Sequence, residues 1–164
     1  AGAIPKEFVP AIRAGVEGGV TRGVLAGYPL VDVGVEVFDR SAHDVDSDEI
    51  SFQIAASMAF NDACKLAEPV LLEPMMKVEI IVPSEYMGNV IGDVSSRRGT
   101  IQGMGQRGNA QVVDAEVPLA EMFGYVDSLR TLTQGRGTYT MHFGSYSVIP
   151  SNIAGALLKR VRGY

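Results

Sequence analysis

Apolar and polar residues alternate from Val31 onward. Val31, Val33, Val35 and Val37 fall on one side and Asp32, Gly34, Glu36 and Phe38 on the other, the period of a strand with one buried face. The alternation stops at Asp39. The next ten residues include Arg40, Ser41, His43, Asp44, Asp46, Ser47 and Asp48, a polar run that reads as an exposed loop. From Ile50 the spacing changes to four: Ile50, Ile54 and Met58 recur with Ala55 and Ala59 beside them, as on a helix packed against a sheet. Ser47 is the expected N-cap. A strand therefore runs out to a polar tip and a helix returns from it.

Before this stretch, Ile4, Phe8, Ile12, Val16 and Val20 mark a helix from Pro5 to about Thr21. Gly15, Gly18 and Gly19 lower its propensity and point either to a close packing partner or to a frayed second half. Residues 23–29 form a turn-rich connector. One strand between two helices is an incomplete domain, so further strands are expected upstream of this chain. The segment Glu68-Pro69-Val70-Leu71-Leu72-Glu73-Pro74 marks a boundary, with one domain at 1–70 and a second at 71–164.

The second domain is more complete. Met76, Val78, Ile80 and Val82 alternate as a strand that ends at Pro83. Ser84 can cap a helix with Tyr86, Met87, Val90, Ile91 and Val94 on its apolar face, stopped by Gly99. Thr100 to Met104 is a second strand, 105–109 a turn, and Val113, Ala115 and Val117 the inward side of a third. Pro118 opens a helix carrying Leu119, Met122, Phe123, Val126 and Leu129. A fourth strand over 138–143 turns Tyr139, Met141 and Phe143 inward. The order βαββαβ is the split βαβ, or ferredoxin-like, arrangement. Pro150 starts a last amphipathic helix whose end carries Lys159, Arg160 and Arg162. The fold class is α+β.

Composition narrows the function. The chain has 164 residues, 46% of them hydrophobic, and a net charge of −5. Residues 1–72 carry five basic and eleven acidic groups, whereas residues 73–164 carry nine and eight. Neither half binds nucleic acid by bulk charge, so RNA contact would come from local clusters. No run of apolar residues is long enough to span a bilayer, and the single Cys64 cannot form an internal disulfide, which fits a reducing cytoplasm. The absence of an initiating Met suggests a piece of a longer protein.

The candidate chemistry is sparse. His43 among Asp44, Asp46 and Asp48 lacks a spacing that makes ligands converge, so no metal is expected and a solvated loop is the default, with a metal-dependent hydrolase on these residues as a rival reading. Gly103-Met104-Gly105-Gln106-Arg107-Gly108 spells a dinucleotide loop, but a strand follows where that loop needs a helix. There is no phosphate-binding loop with Gly-Lys-Ser or Gly-Lys-Thr, and no catalytic set is recommended by the order of Ser, His, Asp and Cys. His142 is expected to point to the open face or toward a neighbouring domain, as a structural or solvated histidine. Arg97 and Arg98 end a helix, where they suit its dipole and are free to reach phosphate, or are merely solubilising. Thr131, Gln134 and Arg136 lie on a glycine-flanked loop that reads equally as a backbone-contact loop or a plain turn.

Several stretches together carry a resemblance: AIPKEFVPAI, LAGYPLVDV, AHDVDSDE, LLEPMMKVE, GNVIGDVSSRRG, RGNAQ, VPLAEMFGY and LRTLTQGRG. Through them the chain resembles the C-terminal part of bacterial-type elongation factor G, the end of domain IV followed by domain V. The resemblance implies an incomplete α/β domain like the second domain of ribosomal protein S5, then a ferredoxin-like domain with a C-terminal helix. It implies a cytoplasmic, monomeric piece of a translocation GTPase whose partners are the ribosome, tRNA and messenger. The tip residues Arg40, Ser41, His43 and Asp44 would meet tRNA and messenger in the small-subunit decoding region. Arg97, Arg98, Thr131 and Gln134 would lie near large-subunit rRNA and the stalk base. GTP and Mg would belong to a G domain outside this chain, which itself would bind no cofactor and be no enzyme. Ala42 stands where an aromatic is common and Asp48 where a serine is common, so the tip loses a stacking group and gains a charge that RNA would repel. A ribosome-recycling paralogue and a stand-alone ferredoxin-like module for RNA or an effector are the alternatives.

Overall fold

The computed structural model describes residues 6–38 and 48–163. The chain divides into two compact units, one of residues up to Leu71 together with those from Pro150 on, the other Leu72–Ile149.

In the first unit, a 3-10 turn at Lys6–Phe8 leads into α1 (Val9–Arg22), which carries Pro10 in its first turn, where a missing N–H costs nothing. Helix α2 (Glu49–Leu66) packs against it. The seam is made by small residues, since Ala11, Gly15 and Gly19 are the buried positions of α1. A Cβ on Gly15 would stand 2.3 Å from the Gln53 carbonyl oxygen, and one on Gly19 2.4 Å from Cδ1 of the buried Phe60. Of the two readings of these glycines, the close packing partner is the one the structure shows. Phe8 and Phe52 stack above the seam at 4.3 Å between ring centres. The third helix of this unit, α5 (Ser151–Arg162), begins after Pro150 and ends at Gly163 with φ 80°.

Three expectations for this unit are corrected. Residues 31–37 form no strand: the segment is irregular, Asp32 has φ 55°, and all four valines are exposed. A strand is stable only when its backbone groups pair, and no partner strand lies beside this one among the described residues. The Ile50, Ile54 and Met58 face of α2 is open, at 67%, 55% and 63% exposure, because α2 meets α1 through Phe60 and its neighbours instead. The cap of α2 is Asp48, whose Oδ1 accepts from the Ser51 N–H at 2.6 Å. Ser47, expected in that role, lies outside the described residues.

The second unit is a four-stranded antiparallel sheet of β1 (Leu72–Pro83), β2 (Thr100–Arg107), β3 (Ala110–Pro118) and β4 (Thr138–Val148), in spatial order β2-β3-β1-β4. Helices α3 (Met87–Ser96) and α4 (Tyr125–Leu132) make the two crossovers, and the fold is ferredoxin-like. In register, Ile80 lies beside Val113, Val78 beside Ala115 and Met76 beside Val117. These residues bury against Val90 and Val94 of α3, Met122, and Tyr125 and Leu129 of α4. The β2–β3 connection is a two-residue turn at Gly108 and Asn109 in which Gly108 takes φ 63°. The glycine-rich run is thus a hairpin, with the positive φ supplied by Gly108 and not shared by Asn109.

Here too the apolar pattern needs amendment. Gly124, at φ 73°, breaks the segment after Pro118 into a 3-10 turn (Leu119–Glu121) and the short α4. The buried set becomes Met122, Tyr125 and Leu129, while Phe123 and Val126 face outward. Met141 and Phe143 are also exposed, since β4 is an edge strand with a neighbour on one side only. Ser84 makes no capping bond, and a 3-10 turn at Ser84–Tyr86 precedes α3.

Candidate RNA-contact surface

Of the tip residues, Arg40, Ser41, His43 and Asp44 lie outside the described residues. What the structure describes beside them is Asp48 at the start of α2. The Asp48 carboxylate is turned into the first turn of α2, where the bond from Ser51 holds its pKa below the ordinary value. Its charge is matched to the positive end of the helix. Asp48 therefore acts as the cap of α2.

The arginine pair at the end of α3 is built into the fold. Arg97 Nε donates to Asp93 Oδ2 at 2.9 Å, one nitrogen donates to the Glu121 carbonyl oxygen at 2.6 Å, and the third to Ser128 Oγ at 2.7 Å. Its guanidinium also lies 5.0 Å from the centre of the Tyr125 ring. Arg98 grips Glu73 with two parallel bonds of 2.7 and 2.9 Å and donates to Glu121 Oε1 at 3.1 Å. The bonds it donates to Glu73 in particular hold the pKa of Arg98 above its ordinary value. Glu73 is buried, and a buried carboxylate requires such a partner. Every nitrogen of the two guanidiniums thus makes a bond inside the protein, so neither arginine is a loose surface side chain.

Arg98 also occupies the left-handed position after α3, with φ 58°. That conformation disfavours a residue with a Cβ by roughly 1–2 kcal/mol. Gly99 follows it, and its N–H donates to the Val94 carbonyl at 2.9 Å. A Cβ on Gly99 would stand 2.6 Å from Val94 Cγ1 and 2.9 Å from Val117 Cγ2. The glycine is therefore used for close packing and the arginine for its side chain.

Thr131 and Gln134 are exposed at the end of α4. The loop between them is firmly made. Thr133, fully buried, donates through Oγ1 to the Leu129 carbonyl at 2.6 Å and accepts from the Gly137 N–H at 2.9 Å. Gln134 and Gly135 both adopt positive φ, and the Gly135 N–H closes onto the Arg130 carbonyl at 2.8 Å. Ser128 and Thr131 are three apart on α4 and so share a face. The structure thus brings Arg97 onto Ser128, about one helical turn before Thr131. The partners Glu73, Glu121 and Ser128 escaped the reading of the chain. Only Asp93, four residues before Arg97, carried a local signal.

The remaining arginines are more open. Arg107 pairs with both oxygens of Glu79 at 3.1 and 3.0 Å, Arg130 lies 3.5 Å from Asp127, and Arg136 bonds Glu85 and covers the Tyr86 ring. His142 is exposed and pairs in register with Lys77, a neighbour of the buried Val78 that shares the other face of the sheet. Burial pushes the Cys64 thiol up, away from nucleophilic behaviour. Among the described residues no three His, Cys, Asp or Glu side chains are placed to hold a metal, and no helix is long and apolar enough to cross a membrane.

A helical segment, a ferredoxin-like sheet and a terminal helix define a two-part α+β chain. Its parts match known families in that order: elongation factor G, domain IV, over residues 1–68, and the elongation factor G C-terminus over residues 70–157. The chain belongs to the elongation factor G family. It is also similar to a protein of Thermus thermophilus solved by crystallography, at 41% identity and a TM-score of 0.86. That likeness covers 100% of this chain and 25% of the other, so the chain spans about a quarter of its relative's length. The two matched regions account for nearly all of the chain and are not nucleotide-binding domains. The C-terminus match runs past Pro150 into α5, although that helix belongs to the first compact unit.

Proposed function

We propose that this chain is the ribosome-contacting end of a translational GTPase that promotes movement of tRNA and messenger. The supporting observation is the ordered match of both halves to elongation factor G domain IV and C-terminus, with the AHDVDSDE tip retained between residues 42 and 49. The tip, with Arg40, Ser41, His43 and Asp44, enters the decoding region and contacts tRNA and messenger. The second domain, carrying Thr131 and Gln134, lies against large-subunit rRNA and the stalk base. The chain makes and breaks no bond. GTP and Mg are held elsewhere in the factor, which works as a cytoplasmic monomer, and the domains divide between residues 70 and 71.

The test is single-round GTP hydrolysis and messenger movement by the full-length factor, wild type against His43→Ala. Hydrolysis is expected to persist while movement slows tenfold or more, about 1.4 kcal/mol or above at the barrier. Unchanged movement would leave His43 a solvated loop residue. Unchanged movement with impaired subunit splitting would instead identify a recycling factor.

A further inference from the structure

Arg97 and Arg98 sit where the resemblance places rRNA contact, yet their bonds run inward. Glu121 is held by both: its backbone carbonyl accepts from Arg97 and its carboxylate from Arg98. Through Glu73, Arg98 also holds the second residue of β1, and through Ser128, Arg97 holds α4 one turn before Thr131. A guanidinium that turned to phosphate would abandon the buried Glu73 carboxylate, or strip Ser128 and the Glu121 carbonyl of their donor. The left-handed backbone at Arg98 points the same way. A glycine would take that conformation without strain, so the arginine is there for what its side chain holds.

We infer that Arg97 and Arg98 are positioning residues, which clip α3, β1 and the 3-10 turn to α4 and so set the end of α4, with Thr131 and Gln134, for RNA without meeting phosphate themselves. The inference rests on the ribosome-contact reading of this domain. It differs from that reading in making Glu73, a buried anion, as necessary to binding as the arginine it holds.

The experiment is ribosome binding by the full-length factor across a salt series. The variants are Glu73→Gln, Arg98→Gln, Thr131→Ala, Gln134→Ala and the double variant Glu73→Gln with Gln134→Ala. Glu73→Gln and Arg98→Gln are expected to weaken binding alike while leaving the salt slope of the wild type. Glu73→Gln is expected to couple to Gln134→Ala by about threefold or more, whereas a general loss of stability would give additive effects. The inference is overturned if Arg98→Gln lowers the salt slope by about one, as loss of a phosphate contact does, while Glu73→Gln leaves affinity unchanged. Should Arg98→Gln fail to fold, Glu73→Gln decides alone: full affinity, or additivity with Gln134→Ala, overturns the inference. If Thr131→Ala and Gln134→Ala leave binding intact, the ribosome-contact reading of the end of α4 falls and the inference with it.

Discussion

The sheet unit and the α1–α2 pair treat similar apolar stripes in opposite ways. Val78, Ile80 and Val82 on β1 are closed over by α3 and α4, and Ile80 has no solvent exposure at all. Ile50, Ile54 and Met58 on α2 form as regular a stripe, yet they stand open, as do the valines of 31–37. Packing of the helix pair instead runs through Gly15, Gly19 and Phe60, on a different face. Periodicity thus reports that a face wants cover, and only the neighbouring elements decide whether it has any.

The sharpest way to break this contrast is to truncate one isoleucine from each stripe. Ile80→Ala removes buried methyl groups from a closed core and is expected to cost about 2–5 kcal/mol, whereas Ile54→Ala should stay within about 0.5 kcal/mol in this chain. Hydrogen exchange of the β1 and α2 amides reads the two separately, and equal losses would show that the α2 stripe is covered after all. Gly19→Ala is expected to have an intermediate effect, about 1–3 kcal/mol, because the added methyl meets the Phe60 ring and must push the helices apart. Amide protection along α1 and α2 should fall together while that of the sheet is unchanged.

The smallest effect is expected at Asp48. Its pKa is lowered in the folded chain, so its contribution is present above the unfolded carboxylate value and is lost as pH falls through the lowered one. Protection of the first turn of α2 should therefore drop below the ordinary value of 3.8 in the wild type. Asp48→Ala should show weaker protection at neutral pH and no such titration. A variant that still titrates would place the acid response on another carboxylate.

Much of the fold was legible because local rules sufficed. Alternation located the four strands, spacings of three and four located the helices, and the βαββαβ order specified the sheet topology. The misreadings have physical causes. Gly124 was passed over as a helix breaker, which shifted the buried face of α4 by one or two residues. Met141 and Phe143 looked inward because alternation cannot tell an edge strand from a central one. At the candidate surface, the type and place of Arg97, Arg98, Thr131 and Gln134 were visible in the chain, but their occupation was not.

Residue order by itself determined the elements, their succession, and the family to which the chain belongs, since these depend on neighbours a few positions apart. Tertiary structure decided which apolar faces are covered, and it decided that Arg98 spends its charge on Glu73, 25 residues away, and on Glu121, 23 residues away. A guanidinium bonds whichever acceptor the fold brings within about 3 Å. No spacing along the chain carries that distance.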